Sequence, residues 1–166
     1  MEAEDLASLV LQLYDARKEA KDYLEFFLNP DINAKYVAAE EECAKELQRT
    51  LRHHYCPRVS RIKAAVKHFA SYGPDDDMVC GLMTTVFEMM CKAANDRYFA
   101  APFGRGCVTF LGDTLKRVEK AGLTSHYFGR LTAAVDSLST KHTDSRQLRT
   151  ALRDVIEGYR PDLRLQ

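Results

Sequence analysis

The stretch from Asp75 to Ala101, DDDMVCGLMTTVFEMMCKAANDRYFAA, limits what this chain can fold into more than any other. At about 100° per residue on a helix, its Met78, Val79, Leu82, Met83, Val86, Phe87, Met89, Met90, Ala93 and Ala94 span an arc roughly 220° wide. Thr84, Glu88 and Asn95, with Thr85 and Lys92 beside them, fill a narrow polar stripe. A helix with so broad an apolar arc must be covered on more than one side. The expected architecture is therefore all-α, with six or seven antiparallel helices stacked as helical hairpins around a central helix 75–101. The 166 residues suffice for one all-helical domain over 1–166.

The flanking segments read as two-faced helices. Residues 4–28 carry Leu6, Leu9, Val10, Leu13, Ala16, Ala20, Leu24 and Phe27 at three- and four-residue steps, with the pairs Lys18–Asp22 and Lys21–Glu25 outward. Asn29-Pro30-Asp31 stops that helix, since the residue before proline is pushed out of the α region. A second helix is expected over about 32–54 (Ile32, Tyr36, Cys43, Leu47, Leu51) and a third over 57–72 (Val59, Ile62, Ala65, Val66, Phe69, Tyr72). Gly73-Pro74-Asp75 supplies a stop, a first-turn proline and an N-cap. After Ala101, PFGRG reads as a glycine-rich turn before a fifth helix, 107–121. A sixth follows from Thr124 or Ser125 (Phe128, Leu131, Val135, Leu138) and a seventh from Thr143 to Pro161. No segment alternates with period two, so no sheet is expected, and the terminal DLRLQ is expected to fray.

Charge excludes some functions. Lys plus Arg balance Asp plus Glu at 24 each, so no whole-molecule field draws the chain to nucleic acid or to an anionic membrane. Nothing approaches a bilayer-spanning apolar run, and the acidic start MEAEDLASLV is unlike a secretory signal. Five irregularly spaced cysteines, Cys43, Cys56, Cys80, Cys91 and Cys107, read as free thiols. These features together point to a cytoplasmic setting.

Two charge features stand out. Arg17 interrupts the apolar stripe of the first helix and Glu40 that of the second. A hairpin folded at Pro30 would bring them level as a partly buried pair, unless Arg17 reaches out to water. From Leu47 to Pro74 there is no acidic residue, while Arg49, Arg52, Arg58, Arg61, Lys63 and Lys67 are joined by His53, His54 and His68. Such a segment can hold an anion or polyanion. On the third helix, though, Lys63 and Lys67 flank one edge of the apolar stripe and Arg61 and His68 the other, which equally suits a solvated face. No aromatic is interleaved as a base-stacking platform.

Other motifs are weaker. His53-His54-Tyr55-Cys56 reads as a helix end with histidines favourable to the dipole, and no ligand spacing implies a metal. Gly104-Arg105-Gly106, with Arg97 nearby, lacks the preceding strand of a dinucleotide loop and the Lys-Ser/Thr of a P-loop. No cofactor is implied. Met78, Met83, Met89 and Met90 read as core, with an adaptable binding groove as the alternative.

LVLQLYDARKEAKDYLEFFLNPD, residues 9–31, resembles the N-terminal signature of a family of small bacterial helical proteins, common in Bacteroidetes and known only as a domain of unknown function. The resemblance covers the first helix, the Asn-Pro-Asp turn and, more loosely, the second helix. It implies a bacterial, cytoplasmic helical protein without an assigned reaction. It brings no catalytic residues, though Tyr14, Asp15, Arg17, Lys18 and Asp22 lie within it. The leading functional expectation is a non-enzymatic interaction or scaffold module with a protein partner. The alternative is nucleic-acid or polyanion binding through residues 49–68, and the third is a helical metalloenzyme.

Overall fold

The computed structural model describes residues 3–95 and 98–159, and among them the fold is all-α apart from one short hairpin. Eight helices lie in the described residues, and the chain divides into two compact units, 1–35 and 36–166.

The first unit holds α1 (Ala3–Ala16), α2 (Lys18–Leu28) and the start of α3 (Ile32–Leu47). The single helix expected over 4–28 is in fact two, broken at Arg17, whose backbone is extended (φ −134°, ψ 115°). The contacts across the break give the reason. Tyr14 donates its hydroxyl to Glu25 at 2.9 Å, and Lys21 lies over the Tyr14 ring at 5.2 Å. On a straight helix Tyr14 and Glu25 would stand about 16 Å apart, so the bond requires the chain to fold back. The expected Lys21–Glu25 pair forms at 3.9 Å. Asp31 caps α3 by accepting the Ala34 N–H at 2.9 Å.

In the second unit, α3 buries Ala39, Cys43 and Leu47 and then stops, seven residues short of the expected end. Residues Thr50–Leu51 (β1) and His54–Tyr55 (β2) pair as an antiparallel hairpin. A helix would have placed Leu51 with Leu47 on the inner face. Instead Leu51 is exposed and the Tyr55 ring is buried, edge-on to Phe103 at 5.5 Å, so docking of one aromatic outweighs local helical spacing. Next come α4 (Val59–Ser71), α5 (Asp76–Asn95), α6 (Ala101–Lys120), α7 (Thr124–Asp136) and α8 (Thr143–Gly158). The expected inner face of α4 is buried at Val59, Ile62, Ala65, Val66 and Phe69. Gly73 takes the left-handed φ of +75° and Asp75 caps α5 through the Met78 N–H at 2.8 Å. Gly122 (φ +70°) closes α6: Leu123 N–H reaches Val118 O and Gly122 N–H reaches Glu119 O, both at 2.9 Å.

The central helix is present but shorter than the expected 75–101, since α5 ends at Asn95 and Ala101, after an extended Ala100, already begins α6. Over its span it is more deeply enclosed than its sequence implies. α5 packs against α4, α6 and α7, and between Met78 and Asn95 only Lys92 is exposed. Val86, Phe87 and Met90 are fully buried. So is Thr84, which the sequence places in a polar stripe, and its hydroxyl has no hydrogen-bond partner among the described residues. α6 shares the centre, touching α4, α5, α7 and α8.

The expected PFGRG turn is instead the first turns of α6, with Pro102 near its start, where a missing N–H does no harm. Gly106 is a point of close approach: a Cβ there would lie 2.4 Å from Val59 Cγ2 and 2.7 Å from Val59 Cβ. A Cβ on Gly104 would meet the Phe99 ring at 3.3 Å. These glycines therefore make room for neighbours inside a helix. The expected end of the last helix at Pro161, the DLRLQ tail and Arg97 lie outside the described residues.

All five cysteines are free, as expected, and Cys43, Cys80, Cys91 and Cys107 are buried while Cys56 is half-buried. Burial pushes the Cys43 and Cys91 thiols from 9.0 up to about 12 and raises those of Cys80 and Cys107 as well. At about pH 8 a thiol reagent should therefore modify Cys56 alone in the folded protein, the other four reacting only as fast as the unit opens. A second fast-reacting thiol would contradict this core. Because folding raises these pKa values, their stabilising contribution is complete below the ordinary thiol value of 9.0 and is lost as pH climbs toward about 12.

Candidate anion-binding cleft

Glu42, Lys45, Glu46, Arg49, Arg58 and Arg61 line a cleft of about 410 Å³ built by the last turns of α3, Arg49 just after it, and the start of α4. Four cations against two carboxylates leave it with a net charge of +2. Lys45 was not among the expected site residues. It comes from the end of α3, outside the basic run, and only the folded chain brings it to Arg58 and Arg61.

The floor is fixed by Glu46. Its Oε1 accepts the Arg58 backbone N–H at 2.8 Å and Nε–H at 3.1 Å, and its Oε2 accepts from Nη2 at 3.1 Å. Burial alone would raise the Glu46 carboxyl, but the Arg58 bonds outweigh it and hold the group below the usual carboxylate range. The same carboxylate raises the Arg58 guanidinium. Arg58 is thus a structural cation, clamped by a two-pronged bond.

Arg49 braces the hairpin. Its Nη1 donates to Cys56 O at 2.6 Å and its own carbonyl accepts the Cys56 N–H at 3.2 Å. The hairpin tip, by contrast, is strained: Arg52 and His53, the two central turn residues, both have positive φ, +50° and +67°. A two-residue turn of this hand favours Asn-Gly, and other L-residues are there at a cost of about 1–2 kcal/mol each. The buried Tyr55 ring on one side and the Arg49–Cys56 brace on the other hold the strain in place. The outcome is that Arg52, His53 and His54 all stand exposed at the tip.

The structure distributes the six expected cations unevenly. Arg49, Arg58 and Arg61 come together at the cleft, and Arg52 stands exposed in the hairpin turn, outside the cleft lining. Lys63 and Lys67 point elsewhere and line a different groove, where Lys63 pairs with Asp113 at 2.6 Å. His53 and His54 are not in a helix end as expected but in the turn and first residue of β2. Among the described residues no three His, Cys, Asp or Glu side chains are grouped as metal ligands, and no helix is long and apolar enough to cross a membrane. Arg17 stands exposed at the α1–α2 joint in the first unit, and Glu40 is half-buried on α3 in the second.

No family model matches this chain, and neither a curated protein nor a solved structure matches it. The functional reading therefore rests on geometry.

Proposed function

We propose that this protein is a non-enzymatic interaction module whose second unit binds a phosphate-bearing polyanion such as nucleic acid. The ligand lies along the cleft edge at Lys45, Arg49 and Arg61 and is met by Arg52 at the hairpin tip. One observation carries the reading. Two consecutive non-glycine residues, both able to contact phosphate, are kept at left-handed φ where Asn-Gly would be more stable. Both side chains stand exposed at the tip, where they are free to meet an anion.

The test separates stability from binding. Arg52→Asn/His53→Gly should raise folding stability by about 1–2 kcal/mol while weakening a fluorescent oligonucleotide in anisotropy titrations by about tenfold at low salt. Arg52→Glu/Arg61→Glu should weaken it further and flatten the salt dependence by about one unit of log–log slope per lost phosphate contact. Arg49 is left intact because it also braces Cys56. An oligonucleotide that fails to bind at low salt, or binds the turn variant as well as the parent, removes the proposal.

A protein partner, the leading expectation from sequence, is favoured by a separate observation in the first unit. No side chain of α1 or α2 is buried, and Leu6, Leu9, Leu11, Leu13, Phe27 and Leu28 are all exposed, Leu28 to 82%. So many large apolar groups on two short helices suit a surface that a partner covers. The bacterial, cytoplasmic setting implied by the resemblance of residues 9–31 belongs to the same proposal.

A further inference from the structure

Lys63 and Lys67, which do not reach the polyanion cleft, flank a second groove of about 320 Å³ where α4, α5 and α6 meet. Its floor is apolar: Val66, Val79 and Phe110 are buried there, and Met83 is half-buried beside them. Methionine is the side chain best able to reshape itself around a bound chain, and the volume falls at the lower end of the range for small-molecule sites.

The rim supplies the charge. Asp113 answers Lys63 at 2.6 Å, and Asp76 takes one Nη of Arg117 at 2.6 Å. The Arg117 Nε, closed off from solvent, has no acceptor among the described residues. Lys67 is exposed and lines the same groove. The lining carries three cations and one carboxylate; Asp113 answers Lys63, and Asp76, outside the lining, answers Arg117, which leaves one positive charge to match a single anionic head. Half-buried Met83 and the apolar edge of the groove offer a place for an aliphatic chain that a small inorganic anion would not use.

We propose that this groove binds a free aliphatic monocarboxylate, its head between Lys67 and Arg117 and its chain along Val66, Val79, Met83 and Phe110. The head exchanges water for charge-assisted bonds and the chain gains by burial. The assignment is independent of the polyanion reading, since none of these residues lines that cleft.

The test uses the full chain carrying ¹³C-methyl methionine, with the Met83 methyl resonance followed by NMR. Decanoate, kept below its micelle concentration, should shift that resonance saturably, acetate should not, and decanol should act about tenfold more weakly. Lys67→Gln should weaken decanoate by about tenfold without moving the thermal unfolding midpoint, because Lys67 is exposed. Arg52→Asn/His53→Gly should leave the response unchanged, which separates this site from the polyanion cleft. The proposal is overturned if decanoate gives no saturable shift, if decanol matches it, if Lys67→Gln binds as the parent does, or if the shift appears only with anionic phospholipid vesicles.

Discussion

Gly106→Ala should destabilise the second unit by about 2–3 kcal/mol, despite placing a better helix former inside α6. The added methyl would sit 2.4 Å from Val59 Cγ2, 2.7 Å from Val59 Cβ and 3.2 Å from Val59 Cγ1. Rotation of the valine can relieve the two γ contacts but not the contact to Cβ, which moves only with the α4 backbone. The helices must therefore separate, and packing lost along α4–α6 exceeds the propensity gained. Gly112→Ala provides the control in the same helix. Nothing lies within 4 Å of its added Cβ, so it should gain about 0.5–1 kcal/mol. Combining Gly106→Ala with Val59→Ala should recover part of the loss, with a coupling energy of at least about 0.5 kcal/mol in a denaturant-unfolding cycle. If Gly106→Ala were as stable as the parent, α4 and α6 would not meet where this structure places them.

The second large effect contrasts two phenylalanines. Phe87, fully buried on α5, should cost about 3–5 kcal/mol when cut to alanine, the sum of lost transfer energy and the cavity left behind. Phe27 on α2 is 73% exposed, and its replacement should change stability by no more than about 0.5 kcal/mol. Urea unfolding followed by far-ultraviolet circular dichroism measures both. A Phe27→Ala loss comparable to that of Phe87→Ala would mean that α2 buries its apolar face within the isolated protein, and the case for a partner there would fall.

Much of the core was legible because burial writes itself as periodicity. The inner faces of α4 and α5 follow from three- and four-residue steps, and Gly73, Asp75 and Gly122 mark helix ends by backbone rules that hold in any context. Three features were not legible, each for a physical reason. The α1–α2 break at Arg17 contains neither glycine nor proline and is accompanied by Tyr14 contacts across the fold. The Thr50–Tyr55 hairpin continues a helical apolar spacing and forms because Tyr55 docks against Phe103. PFGRG looks like a turn because a glycine that loosens a backbone and a glycine that admits a neighbour are the same letter. The site was half legible: the sequence collected the cations, but their partners Glu46 and Asp113 come from other helices.

The sequence by itself determined that the chain is helical, that α5 lies at the centre and that residues 49–67 carry unbalanced positive charge, because propensity, periodicity and composition are local or additive. Only the tertiary structure decided which of those charges remain available. Glu46 and Asp113 neutralise Arg58 and Lys63 where the helices cross, and the docked Tyr55 holds Arg52 and His53 in a turn that neither would choose alone. Pairing and strain both depend on residues distant in the chain, and no stretch of sequence contains them.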